Sequence, residues 1–299
     1  MMTLLTDVTV PTALQQRTSG RLHLHFSQAD APSLRTKLVV TDQQPPLRVI
    51  RAFPMKDGSV LTHLHNISGG ILGGDQLTLC ACLGESTQVQ LTSTGATRVY
   101  RHRENYQDAF QQTHFVIGKG ALLEYLPDPL IPFAGARFQQ QTRIELATGA
   151  GLFYWEVIAP GREAHDEIFA YDEVGLTLDI VAENSPIVIE RMRLRPAQQS
   201  LTSLARMGDY RYFGTFYICK VGCAPAVWSA LEQTLFTLAQ QRTVPGEILW
   251  GVSTMPAHGM TVRALSMTNR AISDGFYLFW KDAKEKLYGK TAILPRKVY

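Results

Sequence analysis

The stretch Asn66–Arg101, NISGGILGGDQLTLCACLGESTQVQLTSTGATRVYR, sets the pattern for the whole chain. Gly69-Gly70 and Gly73-Gly74 bracket Ile71-Leu72, and Asp75 closes the second pair. Glycine pairs let a backbone reach positive φ or pass close to a neighbour. In LTLCACL, Leu77, Leu79, Ala81 and Leu83 alternate with Thr78, Cys80 and Cys82. A period of two is the mark of a strand with one buried face, and it places both cysteines on the other face. Gly84-Glu85-Ser86 reads as a turn, and TQVQLT repeats the alternation through Val89 and Leu91. A hydroxyl-rich turn with Thr92, Ser93, Thr94 and Thr97 precedes Val99-Tyr100-Arg101.

The same grammar extends in both directions. RLHLHF puts Leu22, Leu24 and Phe26 on one phase and His23 and His25 on the other. Residues 35–41, LRVIRAF at 47–53 and VLTHLHN at 60–66 are further strands, broken by Pro45-Pro46. Downstream, strands are expected at 113–117, 121–126, 138–146, 152–158, 168–171, 176–181, 187–194 and 212–220. Gly118-Lys119-Gly120, Gly149-Ala150-Gly151 and Pro160-Gly161 mark turns, and Pro127, Pro129 and Pro132 stiffen a loop unsuited to a sheet interior. Short strands at near-regular spacing, without helices between them, argue for an all-β architecture over a doubly wound α/β fold.

Two helices are expected late, with the strands EILWGVST and MTVRAL between them. Residues 226–241 carry Trp228, Leu231, Leu235 and Leu238 at spacings of three and four, with Pro225 before them and Pro245-Gly246 after. Residues 266–287 carry Ile272, Phe276, Phe279 and Ala283 on one stripe, with Gly275 inside it. Phe276, Phe279, Trp280 and Arg296, aromatics beside basic residues, suit an interface with a partner. The expected fold class is mainly β: many short strands with two α-helices in the C-terminal half. One continuous domain over 1–299 is expected, with 1–20 a loosely ordered lead-in.

Composition narrows the function. Of 299 residues, 45% are hydrophobic and 18% charged, enough for a sizeable core. A net charge of +3 is too small for general nucleic-acid binding. Residues 281–299 hold six Lys or Arg against Asp282 and Glu285, a solvated tail or a docking patch. Four cysteines make no disulfide framework in a chain of this length. Thr3, Thr6, Asp7 and Thr9 interrupt the N-terminal apolar residues, so no signal peptide is read there. No run of about 20 apolar residues suggests a membrane helix. A cytoplasmic location is expected.

Several residues are candidates for chemistry. His63 and His65 share a strand face, as do His23 and His25; such imidazoles can ligate nickel, copper or zinc, or simply face solvent. Cys80 and Cys82 offer two thiolates to a soft metal, or are structural. The glycine pairs lack the Lys-Ser/Thr of a phosphate loop and lead into a strand, so they hold no nucleotide. Glu124, Asp128, Glu163, Asp166 and Glu167 are the carboxylates of interest, with Arg162 and His165 beside the last three. They suit acid–base work, a cation route or surface salt bridges. No nucleophile elbow or catalytic triad spacing is present.

SGGILGGDQL followed by LTSTGATRVYR resembles the urease accessory protein UreD (UreH) family. LLEYLPDPLIPFAGARFQQ, APGREAHDEIF and the terminal LPRKVY fit the same family in the same order, so the resemblance spans about the whole chain. The chain ends in Tyr299 where family tails often end in an indole. The resemblance implies a non-enzymatic scaffold, β-helix-like, that helps insert nickel into the urease apoprotein. It implies a helical UreF-like partner, a UreG-like GTPase reached through that partner, and no tightly bound cofactor, only nickel in transit. It also implies an internal polar tunnel. Carried over by motif, Glu124, Asp128 and Glu167 would line the metal route, with Asp75, Thr94 and Arg162 near it. Transit needs weak, exchangeable oxygen ligands, because a Cys/His cage would hold the ion. The competing reading is a metal-dependent hydrolase or isomerase on a β scaffold, using His63, His65 and a carboxylate.

Overall fold

A computed structural model describes residues 18–29 and 35–295 of the chain. Its strands are β1 (Ser19–Gln28), β2 (Thr36–Gln44), β3 (Leu47–Arg48), β4 (Ala52–Pro54), β5 (Val60–Asn66), β6 (Gln76–Leu83), β7 (Gln88–Ser93), β8 (Thr97–Val99) and β9 (Ala109–Ile117). They continue as β10 (Leu122–Tyr125), β11 (Leu130–Pro132), β12 (Arg137–Leu146), β13 (Gly151–Ile158), β14 (Glu173–Ala182), β15 (Ser185–Leu194), β16 (Tyr212–Lys220), β17 (Ile248–Thr254) and β18 (Gly259–Ser266). Helix α1 spans Pro225–Arg242 and α2 spans Asn269–Tyr288.

The chain winds between two sheets. In the first, β1, β6, β9, β12 and β14 are parallel neighbours. In the second, β5, β7, β10 and β13 are. Successive strands therefore alternate between sheets, β6 to β7, β9 to β10, β12 to β13, as in a β-helix. The turns between them stack: Ser86 N–H donates to Lys119 O at 2.9 Å, and Gly120 N–H to Thr148 O at 3.0 Å. Gly118 is required there, because a Cβ would lie 2.6 Å from Leu83 O of the coil below. Antiparallel strands close the ends, β2 on β1, β15 on β14, and β16 with β18 and β17 on β13. Capping of this kind protects parallel edges from further pairing.

Period-two alternation fixes what lies inside. Phe26, Leu83, Phe115, Ile144 and Leu152 fill one end of the space between the sheets. Phe138, Val174, Ile71 and Val99 fill the other. The outer face of the second sheet carries Phe153, Phe216 and Ile218, and the helices cover it with Leu231, Leu235, Phe276, Phe279 and Trp280.

Phe276, Phe279 and Trp280 are 1%, 0% and 0% exposed, so the expected partner surface on this helix is instead the chain's own core. The stripe at spacings of three and four packs on the sheet beneath, and those side chains are not available to another protein. Arg296 lies outside the described residues. Three smaller differences have local causes. Strand β1 begins at Ser19, inside the expected lead-in. Residues 168–171 form no strand, with Phe169 at φ 53°. The proline loop contributes the three-residue β11, which pairs with β8 and touches β13 off the main path of the sheet.

Candidate functional site

Between the two apolar ends the interior turns polar. On the first sheet the inward positions at this level are Gln111 and Thr113 of β9, and Gln140 and Thr142 of β12. Glu190 of β15 lies in register with Leu178 of β14. On the second sheet Tyr125, Tyr154 and Tyr217 stack across three strands, with ring centroids 5.2 and 5.7 Å apart. Glu156 and Thr215 follow them one inward position along β13 and β16. Gln140 Nε2 donates to Glu156 Oε1 across the space between the sheets.

Three cavities run through this layer. The first, about 210 Å³, is lined by His65, Asn66, Ser93, Thr94, Arg98 and Gln111 among others. The second, about 40 Å³, shares Thr97, Gln111, Tyr125 and Pro127 with it and adds Asp128, Gln140 and Glu156. The third, about 20 Å³, shares Glu156, Ile158 and Leu176 with the second and adds Glu190 and Thr215. Each shares walls with the next, and even the smallest has room for a water molecule. Thr215 Oγ1 is buried without a protein partner, as expected of a hydroxyl that meets internal water. Beyond the third cavity, Ile158, Met192 and Phe213 also line an apolar cleft of about 550 Å³.

The carboxylates along this series are Asp128, Glu156 and Glu190. Asp128 Oδ2 accepts from Ser93 Oγ at 3.1 Å, and Asp128 N–H donates to the same Oγ at 2.7 Å. Glu156 is enclosed by protein yet keeps accessible surface, which marks it as facing an internal void. Burial raises its pKa, opposed by hydrogen bonds from Tyr154 and Gln140. Burial also raises that of Glu190, and the charge of Arg263 opposes it. At the first cavity, burial and the neighbouring His63 lower the pKa of His65.

Other expected residues lie elsewhere. Glu124 is on the outer face of its strand, where Trp280 Nε1 and Lys284 Nζ bond its two oxygens at 2.9 and 3.0 Å. It ties α2 to the sheet and is not on the cavity walls. His63 packs edge-on against Phe53, with ring centroids 5.6 Å apart. Among the described residues, no three His, Cys, Asp or Glu side chains converge on one metal position, so His63 and His65 have no third ligand. Cys80 and Cys82 lie on the outer face of the first sheet.

With this geometry in place, comparison decides the family. A model of the UreD urease accessory protein matches residues 18–299. The chain belongs to the UreD urease accessory protein family. It is 46% identical over 284 residues to a urease accessory protein UreD of Herpetosiphon aurantiacus, covering 95% of this chain and 98% of the relative. It is 33% identical over 200 residues to one of Halalkalibacterium halodurans, 67% of this chain and 72% of the relative. Against one of Deinococcus radiodurans it is 28% identical over 296 residues, 98% and 100% of the two chains.

The glycine-rich, proline and GRE pieces of the UreD resemblance, scattered in sequence, meet at one end of the coil. Ile71 bridges to Val99, and β11 pairs with β8 alongside. Asp75 accepts from Leu72 N–H at 2.8 Å and closes the glycine turn. Glu167 accepts from Ala134 N–H at 3.1 Å and pairs with Arg162, whose guanidinium lies 4.3 Å over the ring of Phe133. These contacts hold the Gly-rich, proline and GRE pieces together. Asp75, Arg162 and Glu167 thus tie loops to one another, whereas Thr94, Asp128 and His65 line the cavities. Gln111, Gln140, Glu156 and Glu190 complete that lining and are absent from the sequence-level candidates.

Proposed function

We propose that this UreD-family protein is a scaffold for insertion of nickel into the urease apoprotein, and that Ni2+ crosses it along the cavities from Thr94 and Asp128 past Glu156 to Glu190. On this reading it binds the apoprotein and a UreF-like helical protein, and through the latter a UreG-like GTPase, in the cytoplasm. It holds no cofactor of its own and has no catalytic role. Nickel is cargo, bound transiently.

The observation that carries this reading is the run of carboxylates and amides along a series of cavities that share walls. A divalent ion in a protein interior needs partners that offset lost hydration. Asp128, Glu156 and Glu190 supply negative charge in sequence, while Gln111, Gln140 and the tyrosine hydroxyls supply neutral oxygens. Oxygen donors taken one or two at a time bind a borderline ion weakly and exchange it readily. A partner seated over either end would give or receive the ion without releasing it to bulk water.

Reconstitution tests the reading. Urease apoprotein, UreF-like and UreG-like proteins, GTP and Ni2+ are mixed with and without this chain, and urease activity is followed. Activation that depends on the chain supports it. Equal activation without the chain overturns it.

A further inference from the structure

The solvent face of the first sheet carries a set of metal-type side chains that the passage does not use. In the parallel register of β1 and β6, His23 is the partner of Cys80 and His25 the partner of Cys82. On the next strand, His114 is the partner of Cys80. The opposite phase of β1 and β6 at this level is buried and apolar, Leu22, Leu24, Leu79 and Ala81, so His23, His25, Cys80 and Cys82 point outward together. His25 and Cys82 are exposed, and His23, Cys80 and His114 half-exposed. Both cysteines are free thiols.

We propose that His23, His25 and a thiolate from the Cys80/Cys82 pair form a surface site for a thiophilic divalent cation such as Co2+, Zn2+ or Ni2+. The geometry follows from the sheet. Neighbouring strands lie about 4.8 Å apart, and alternate residues of a strand about 6.6 Å apart. An ion above the gap between His23 and Cys80, displaced toward the second row, is within reach of the Cys80 sulfur and the His23 imidazole. The longer arm of His25 closes the third position. Metal bonds of about 2.0–2.3 Å to nitrogen and sulfur fit that spacing. The three donors do not converge in the present rotamers. Rotation of these exposed and half-exposed side chains brings them together, and the strands stay fixed by their ladder.

The donor set also selects the ion. Two imidazoles and a thiolate favour borderline and soft cations over Mg2+ or Ca2+. Burial raises the pKa of the Cys80 thiol, so it is protonated without metal. Binding forms the metal–sulfur bond, breaks S–H, and releases one proton to solvent. His114 Nε2 is engaged by Glu145 at 3.1 Å, which leaves its ring beside the site as a fixed neighbour. The site is independent of the internal cavities, because it lies on the opposite face of the sheet.

The test uses the untagged full-length chain under reducing conditions, titrated with Co2+ alone. Thiolate-to-cobalt charge-transfer absorption that saturates near one equivalent is expected. It disappears in Cys80→Ser/Cys82→Ser, and His23→Ala/His25→Ala weakens binding about 10-fold or more, with circular dichroism unchanged in both. Absence of the charge-transfer band in the wild type overturns the proposal. So does a band that survives Cys80→Ser/Cys82→Ser and is lost in Cys219→Ser/Cys223→Ser.

Discussion

Lys284 of helix α2 reaches Glu124 of the coil, with Nζ 3.0 Å from Oε2, and their side chains are only 3% and 4% exposed. Trp280 of the same helix bonds the other oxygen. The pair joins α2 to the coil through a polar clamp inside a largely apolar interface. Removing one partner leaves a buried charge uncompensated, whereas removing both does not. Lys284→Ala is expected to lower stability by about 3–5 kcal/mol. Glu124→Gln/Lys284→Met is expected to cost much less. Urea unfolding midpoints of the three proteins check this, and equal losses in both variants would contradict the clamp.

Gly275 inverts the usual rule for helix interiors. Gly→Ala in a helix normally stabilises by about 1 kcal/mol. Here a Cβ would lie 2.1 Å from Trp250 Cζ2 and 2.5 Å from its Cη2. The indole of β17 is wedged against the helix backbone, with Phe279 at a ring-centroid distance of 4.9 Å. Gly275→Ala is therefore expected to destabilise, by about 1–3 kcal/mol as for an overpacked core. Trp250→Leu should relieve the clash and make the double variant less sensitive to the alanine. Thermal denaturation of the single and double variants reads the sign.

Acid should loosen the loop scaffold. The hydrogen bonds of Arg162 hold the Glu167 carboxyl at about 2, below its ordinary 4.5, with help from Ala134 N–H. A depressed folded pKa means that the contribution is fully present above about 4.5 and is lost as pH falls through about 2. Glu167→Gln removes that term. The stability gap between wild type and Glu167→Gln is expected at pH 6 and to shrink steadily below about pH 4.5. A gap that stays constant through the acid range would contradict the assignment.

Much of this architecture was legible from alternation alone. VLTHLHN and residues 212–220 are strands over the residues expected, and both helices fall within three residues of their expected limits. Helix α2 starts later because Ser266 still belongs to β18, and Thr268 accepts from Ala271 N–H as the N-cap. The interior lining was harder to read. In GLFYWEVI the inward phase is Leu152, Tyr154, Glu156 and Ile158, so a carboxylate sits on the buried side of an apolar strand. Gln111, Gln140 and Glu190 repeat that signal. Recognising it requires knowing which phase faces inward, and that depends on coil register. The setting of Glu124 was hidden for the same reason: its phase faces α2, a contact 160 residues away in sequence.

On the proposed route an ion passes the Glu156 carboxylate on its way through the coil. Glu156→Gln keeps the shape and an acceptor for Gln140 but removes the charge. The decisive measurement is the initial rate of nickel-dependent urease activation with this variant, in a complex shown by size-exclusion chromatography to form as with the wild type. The account predicts a fall of about 10-fold or more with the complex intact. Activation at the wild-type rate would contradict it.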